Sequence, residues 1–267
     1  MRRSRHPSPP GRRPVRVTAA LVVVGAALTM TAGCSAVATD DLRGTSPSTP
    51  RPTTSQELSM QTFAPPAGAS AATRALFTAV EASDLVGIKD AIADGADLEA
   101  RGPLGRTPLV EATKANRSDV ATTLLEAGAD PNAKDDIQDS AFLYAGAEGL
   151  DEIVRATLAH GADVRSTNRY GGTALIPASE HAHVPTVRML IAAGVPVNHV
   201  NNLSWTALHE AIVLGNGDAE HVEVVRLLLK AGADQSIADG DGVLPRTLAR
   251  QRGFSEIVDE LDRANER

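Results

Sequence analysis

Five glycines share one register. Gly95, Gly128, Gly161 and Gly194 are 33 residues apart, and Gly232 follows after 38. Each ends a leucine- or alanine-rich run: AIADGAD (91–97), LLEAGAD (124–130), LAHGAD (158–163), LIAAGVP (190–196) and LLLKAGAD (227–234). A glycine after an apolar helical run supplies the left-handed residue that stops a helix. A fixed period of about 20–50 residues marks stacked units, none of which can bury its apolar faces alone.

A second marker keeps the same period. Thr107, Ser140, Thr173 and Thr206 recur every 33 residues in GRTPLVEA (105–112), QDSAFLYA (138–145), GGTALIPA (171–178) and SWTALHEA (204–211). A hydroxyl there can accept from a free N–H of a first helical turn, and Pro108 suits the next position. A short helix follows, then a second one such as VEVVRLLLKA (222–231), apolar over most of its circumference. The chain is 42% hydrophobic but only 3% aromatic, so alanine and leucine must build thin, closely packed helical layers.

In combination, the Thr-Pro-Leu-His-like starts, the Gly-His positions and the Gly-Ala-Asp ends resemble ankyrin repeats over roughly residues 71–261. The resemblance implies an all-α solenoid of about six helix–turn–helix units over 71–267, with hairpin fingers projecting between neighbours. Residues 76–97 and 242–261 read as its terminal caps. The five extra residues of the 38-residue step map to NGDAE (216–220), between two helices of one unit. Pro177 falls inside a first helix, where it should remove a backbone hydrogen bond unless the helix start is distorted.

Residues 1–33 read as an export signal. Six arginines and no acid precede an apolar run at 17–30, too short to span a bilayer, which needs about 20 residues. Thr31-Ala32-Gly33 then leads to the sole cysteine, Cys34. This resembles a bacterial lipobox, whose cysteine is lipidated and becomes the mature N-terminus; Thr31 stands where that family usually has Leu. A lone cysteine has no internal disulfide partner. Residues 34–70, rich in Ser, Thr and Pro, read as a disordered tether to the repeat domain. The expected product is extracytoplasmic and held to the bacterial cell membrane through Cys34, the alternative being a soluble secreted or periplasmic protein.

Loss of the signal leaves 20 basic against 33 acidic residues, a net charge of −13. That excess argues against nucleic-acid binding. Five histidines, His181, His183, His199, His209 and His221, fall in two adjacent units. His209, His183 and His221 occupy positions that the resemblance makes structural. No metal or cofactor is expected, and His209-Glu210 does not continue into a zinc-protease motif because Val213 replaces the required histidine. Binding remains. In ankyrin folds partners meet finger tips and the first-helix face, which here assigns Arg169, Tyr170, Asn202, Leu203 and Trp205 to fingers. Glu111, Tyr144, Glu180, His181 and Glu210 fall on the helix face and edge it with carboxylates. The expectation is a monomeric, non-enzymatic module that binds a protein outside the cytoplasm. A narrower alternative, also from resemblance to exported bacterial ankyrin proteins, is an accessory to a stress-protective enzyme such as catalase; a hydrolase or metal-dependent enzyme is the third.

Overall fold

The computed structural model describes residues 63–266; the signal segment, Cys34 and residues 35–62 of the tether lie outside them. Twelve α-helices pair into six units among the described residues. The first helices are α1 (Ala71–Ala82), α3 (Pro108–Lys114), α5 (Ala141–Ala147), α7 (Leu175–Glu180), α9 (Ala207–Val213) and α11 (Pro245–Arg252). Their partners are α2 (Leu85–Ala93), α4 (Ser118–Glu126), α6 (Asp151–Ala159), α8 (Val184–Ala192), α10 (Ala219–Lys230) and α12 (Ser255–Asn265). Each first helix packs on the next first helix, and each second helix on the next second helix. The core is therefore a seam between two rows.

Close approach within the first row follows from one column of small residues. Ala112, Ala145, Ala178, Ala211 and Ala249 keep the repeat register and are all fully buried. Beside them Gly146 is pressed so near α7 that an added Cβ would lie 2.8 Å from that of Ala174. Leu109, Phe142, Leu175 and Leu208, three residues before four of these alanines, fill the seam.

All five period glycines have φ between 82° and 97°. A Cβ at any of them would meet nothing within 4 Å, so glycine is demanded by torsion and not by space. After each one, the next N–H reaches the carbonyl five residues back: Ala96 to Ala91, Ala129 to Leu124 and Ala162 to Thr157 at 3.0 Å, Val195 to Leu190 at 3.1 Å, Ala233 to Leu228 at 2.9 Å. This six-to-one bond satisfies a carbonyl that the helix end would otherwise orphan.

Starts are less uniform. Thr107, Ser140 and Thr206 accept from Val110, Leu143 and His209 N–H at 3.3, 3.2 and 3.4 Å. Thr173 does not cap, contrary to its place in the series. Its hydroxyl is buried without a partner, and α7 begins a residue late at Leu175. Pro177 is the cause. In the other three units the residue four after the cap closes the first α-helical bond, as Tyr144 does to Ser140 at 2.9 Å. Proline lacks that N–H, so the start tightens to a bond from Ile176 to Thr173 at 3.1 Å.

Neighbouring units are also stapled behind the helices. Glu99 accepts from Asp130 N–H at 2.8 Å, Asn132 from Asp163 at 2.7 Å and Asn198 from Asp234 at 2.8 Å. In the one remaining step of this register the acceptor position holds Arg165 and the donor position Pro196, which has no N–H to give. The two departures cancel, leaving no orphaned donor.

Two further parts differ from the sequence reading. Residues 63–70 were assigned to the tether, yet Phe63 is buried and stacks on Phe77 with centroids 4.3 Å apart. Gly102 lies against both rings, where a Cβ would fall 2.8–2.9 Å from Phe77, Phe63 and the Ala64 carbonyl. This arm covers the first unit where a preceding finger is missing. The extra five residues are not a free loop either. α10 has 12 residues where α2, α4, α6 and α8 have nine, and Ala219 and Glu220 of the five lie in its first turn. Asp218 caps the extension by accepting from His221 N–H at 3.0 Å. Gly217 abuts the Phe254 ring, and Arg252 donates to the Gly215 carbonyl at 2.8 Å.

Candidate functional site

Between units the chain folds into five short fingers, four of them built on one side-chain device. Asp135, Asn168, Asn201 and Asp239 each accept, through one side-chain oxygen, from the N–H groups two and four residues ahead at 2.8–3.1 Å. Their own N–H groups bond the carbonyl four ahead at 2.8–3.0 Å. Acidic and amide side chains suit such turns because they imitate a backbone carbonyl. In the first finger Gly102 replaces the anchor, since the Phe63 arm occupies the space, and only the backbone bond to Arg106 at 2.9 Å remains.

Fingers are tied to one another. The Leu104 carbonyl accepts from Asp136 N–H at 3.0 Å, and Tyr170 from Asn202 at 2.9 Å. The Lys134 ammonium donates to the Thr167 carbonyl at 2.7 Å, joining the second finger to the third. Two residues after each anchor position comes the tip. Leu104, Ile137, Tyr170 and Leu203 are 36%, 43%, 53% and 54% exposed, and Asp241 holds that place in the fifth finger. Four large apolar side chains thus stand in one exposed register.

Next to the tips lies a charged cluster. Lys114, from α3, pairs with Asp139 at 3.0 Å and Asp135 at 3.6 Å, and its ammonium lies 4.0 Å over the Tyr144 ring. Arg169 pairs with the same Asp139 at 3.6 Å and lies 4.6 Å over Tyr170. Burial, then the carboxylates of Glu148 and Asp139, push the Tyr144 hydroxyl above its ordinary pKa. Glu111 is half-buried and paired with Arg106 at 3.0 Å.

The candidate residues do not form one surface. Arg169, Tyr170, Asn202 and Leu203 are exposed on adjacent fingers, and His181 is exposed at the end of α7. Trp205 is not at a tip: it is half-buried at the base of its finger, where its carbonyl accepts from Asn201 N–H at 2.9 Å. Glu210 does not edge a groove. It is buried and accepts from the Asn201 amide at 2.8 Å. Burial first, then the Glu180 carboxylate, push its carboxyl up to about 7, with the Asn201 bond acting in the opposite sense. Cys34 lies outside the described residues. Leu104 and Ile137, finger residues not among the predicted site residues, share the exposed tip register of Tyr170 and Leu203.

His209, His221 and His183 take structural roles. His209 Nδ1 accepts from Thr206 N–H at 3.2 Å, completing a reciprocal cap, and its burial holds the ring's pKa below the ordinary value. His221 bridges Asp218 at 2.6 Å and the Glu180 carbonyl at 2.9 Å, and its bonds hold the Asp218 carboxyl down at about 2. His183 packs its ring on Gly149. Among the described residues no group of three or more His, Cys, Asp or Glu is placed to hold a metal ion, and no helix is long and apolar enough to cross a membrane.

Paired helices, left-handed glycine ends and linked fingers define a tandem-repeat protein of the kind that generally serves protein interaction. Comparison with known proteins identifies the kind. Ankyrin repeats (3 copies) match residues 142–261, and a single ankyrin repeat matches 104–136. A crystallised ankyrin repeat domain from Acinetobacter baumannii AYE is 56% identical, with a TM-score of 0.69 over 70% of this chain and 96% of that one. A second crystallised ankyrin repeat protein is 37% identical, with a TM-score of 0.69 over 71% of this chain and 97% of its own. The putative ankyrin repeat protein YahD of Escherichia coli K12 is 46% identical over 54 residues, 20% of this chain and 27% of that protein. The chain belongs to the ankyrin-repeat family.

Proposed function

We propose that this protein is an exported, membrane-anchored, monomeric and non-enzymatic binding module, whose protein partner meets the finger row outside the cytoplasm. The observation that carries the binding surface is the register of Leu104, Ile137, Tyr170 and Leu203, exposed at one finger position. An exposed apolar row held on a rigid scaffold offers area for burial at little cost in ordering, because its backbone is already fixed by turn anchors and interfinger bonds. Tyr170 is the natural anchor, large and with few rotamers. The Arg-rich leader, the apolar run and the Thr-Ala-Gly-Cys junction support export and lipidation at Cys34.

Affinity capture with the full chain tests the surface. Ile137→Asp/Tyr170→Asp is expected to lose the captured protein at unchanged melting temperature, and equal capture by the variant refutes the finger-row reading. The captured partner's identity separates general binding from assistance to a stress-protective enzyme such as catalase. For the anchor, Cys34→Ser is expected to abolish palmitate labelling and release the protein from membranes; membrane retention without label refutes lipidation.

A further inference from the structure

The first finger is built unlike the other four. Arm and anchor exclude each other there, since a Cβ at residue 102 would lie 2.8 Å from the Phe77 ring and 2.9 Å from both the Phe63 ring and the Ala64 carbonyl. The N–H groups of Leu104 and Arg106 therefore have no anchor oxygen. Asp135, Asn168, Asn201 and Asp239 hold the corresponding groups in their own fingers.

The turn also bends differently. Leu104 and Gly105 have φ of 59° and 67°, two successive left-handed residues, where each other finger has one, at Gln138, Gly171, Ser204 or Gly242. Leucine is disfavoured in that region because its Cβ crowds the backbone. Of the five tip residues only Leu104 is so placed. The same residue carries the tie to the second finger, its carbonyl accepting from Asp136 N–H at 3.0 Å.

One side chain fastens the arm. Phe63 is buried against Phe77, but among the described residues no backbone hydrogen bond joins residues 63–66 to any residue beyond Ala69. Ala69 N–H reaches the Pro66 carbonyl at 3.1 Å, closing a turn in which exposed Gly68 has φ 81°. Pro65 and Pro66 stiffen the stretch between that turn and the ring, so the arm can swing as one piece about Gly68. Burial of one ring favours docking; a left-handed leucine and a forfeited anchor oppose it. A segment held by so few contacts, next to backbone strain, opens before the rest of a fold does. In the other direction the arm runs into residues 34–62 and so to Cys34, which makes it the point where the proposed tether enters the domain.

We infer that residues 63–66 are a detachable strap: docked, it holds Leu104 in the row of finger tips, and released, it lets the first turn relax and withdraws that tip. The row then presents four apolar tips or three, according to the state of the arm. Load on the tether acts on Phe63 before it acts on any helix.

Amide exchange resolved by NMR on the full chain tests the strap, independently of whether the finger row takes a partner. The Asp136 N–H reports the tie to Leu104, and the Asp139 N–H, held by Asp135, reports the second finger. In the wild type Asp136 is expected to be less protected than buried residues of α1 such as Leu76 and Val80, because the strap opens while the helix stays folded. Equal protection means that the arm leaves only when the first unit unfolds, and overturns the inference. In Phe63→Ala, Asp136 should exchange at least about ten-fold faster, with Asp139 little changed. No change at Asp136, or equal acceleration at both amides, overturns it. Phe63→Ala/Gly102→Asn supplies an anchor of the kind found at Asn168 and Asn201 in the space the ring has left, and should restore protection at Asp136 without restoring it in α1. Failure of that rescue shows the arm to be a cap of the first unit and no strap on its finger.

Discussion

Glu210→Gln isolates the buried carboxylate of α9. Glu210 is 6% exposed, its carboxyl is raised from 4.5 to about 7, and its bond to Asn201 ties the helix to the turn anchor of the fourth finger. A raised carboxyl means that the folded protein holds a proton the unfolded chain has released between about pH 4.5 and pH 7. Stability from this group is therefore fully present below the unfolded value and falls as pH rises through the folded one. At about 1.4 kcal/mol per unit, the loss above pH 7 is about 3 kcal/mol. Glutamine keeps the shape and the oxygen that accepts from Asn201, but has no proton to lose. The variant should match the wild type to within about 1 kcal/mol at pH 5 and exceed it by about 3 kcal/mol at pH 8. For a folded unit of this size that gap is a rise of about 6–12 °C in melting temperature. Urea unfolding of both proteins at the two pH values measures it, and groups titrating alike in both cancel in the difference. Because Glu180 is the second cause of the shift, Glu180→Gln in the wild type should narrow the gap. A difference between Glu210→Gln and wild type that is the same at both pH values refutes the reasoning.

Further tests address the helix starts and the arm. Thr206→Val should cost about 1–2 kcal/mol by urea unfolding, since it removes the cap of α9, whereas Thr173→Val should be neutral or stabilising because that hydroxyl has no partner to lose. Phe63→Ala should cost about 3 kcal/mol, with hydrogen-exchange protection lost in α1 and the first finger but retained in α9 to α12, as expected of a chain whose units contact only their neighbours.

What the sequence discloses is what repeats. The glycine stops, the hydroxyl caps at Thr107, Ser140 and Thr206, and six helical units are all readable from spacing, because each is the same local problem solved again. Phe63 was illegible for the opposite reason: it occurs once, among prolines and alanines, and its partners Phe77 and Gly102 are 14 and 39 residues away. The failed cap at Thr173 is readable only from Pro177, whose missing N–H acts on a carbonyl four residues back. Burial of Glu210 was hidden because its register holds the half-buried Glu111 and Tyr144 elsewhere. Only the Asn201 amide, an anchor in the adjoining finger, makes a carboxylate tolerable there. The helical extension was written in Asp218-Ala219-Glu220, an N-cap followed by helix formers, but an irregular spacing drew the segment into a loop.

The same contrast says where to look for function. Every member of the alanine column is fully buried, and every period glycine has the same sign of φ, so those positions answer to the fold and carry no information about a partner. The turn itself does not require an apolar side chain in the tip register. Asp241 occupies it in the fifth finger, where Asp239 still accepts its two N–H bonds at 3.0 and 2.8 Å and the turn closes as it does elsewhere. A finger of this design therefore folds with a charged tip as well as with an apolar one. Exposing leucine, isoleucine, tyrosine and leucine at four successive tips gains the turn nothing and leaves apolar surface in water, at a cost that grows with its area. The fold does not require those side chains, which is why the proposed binding surface is placed on them.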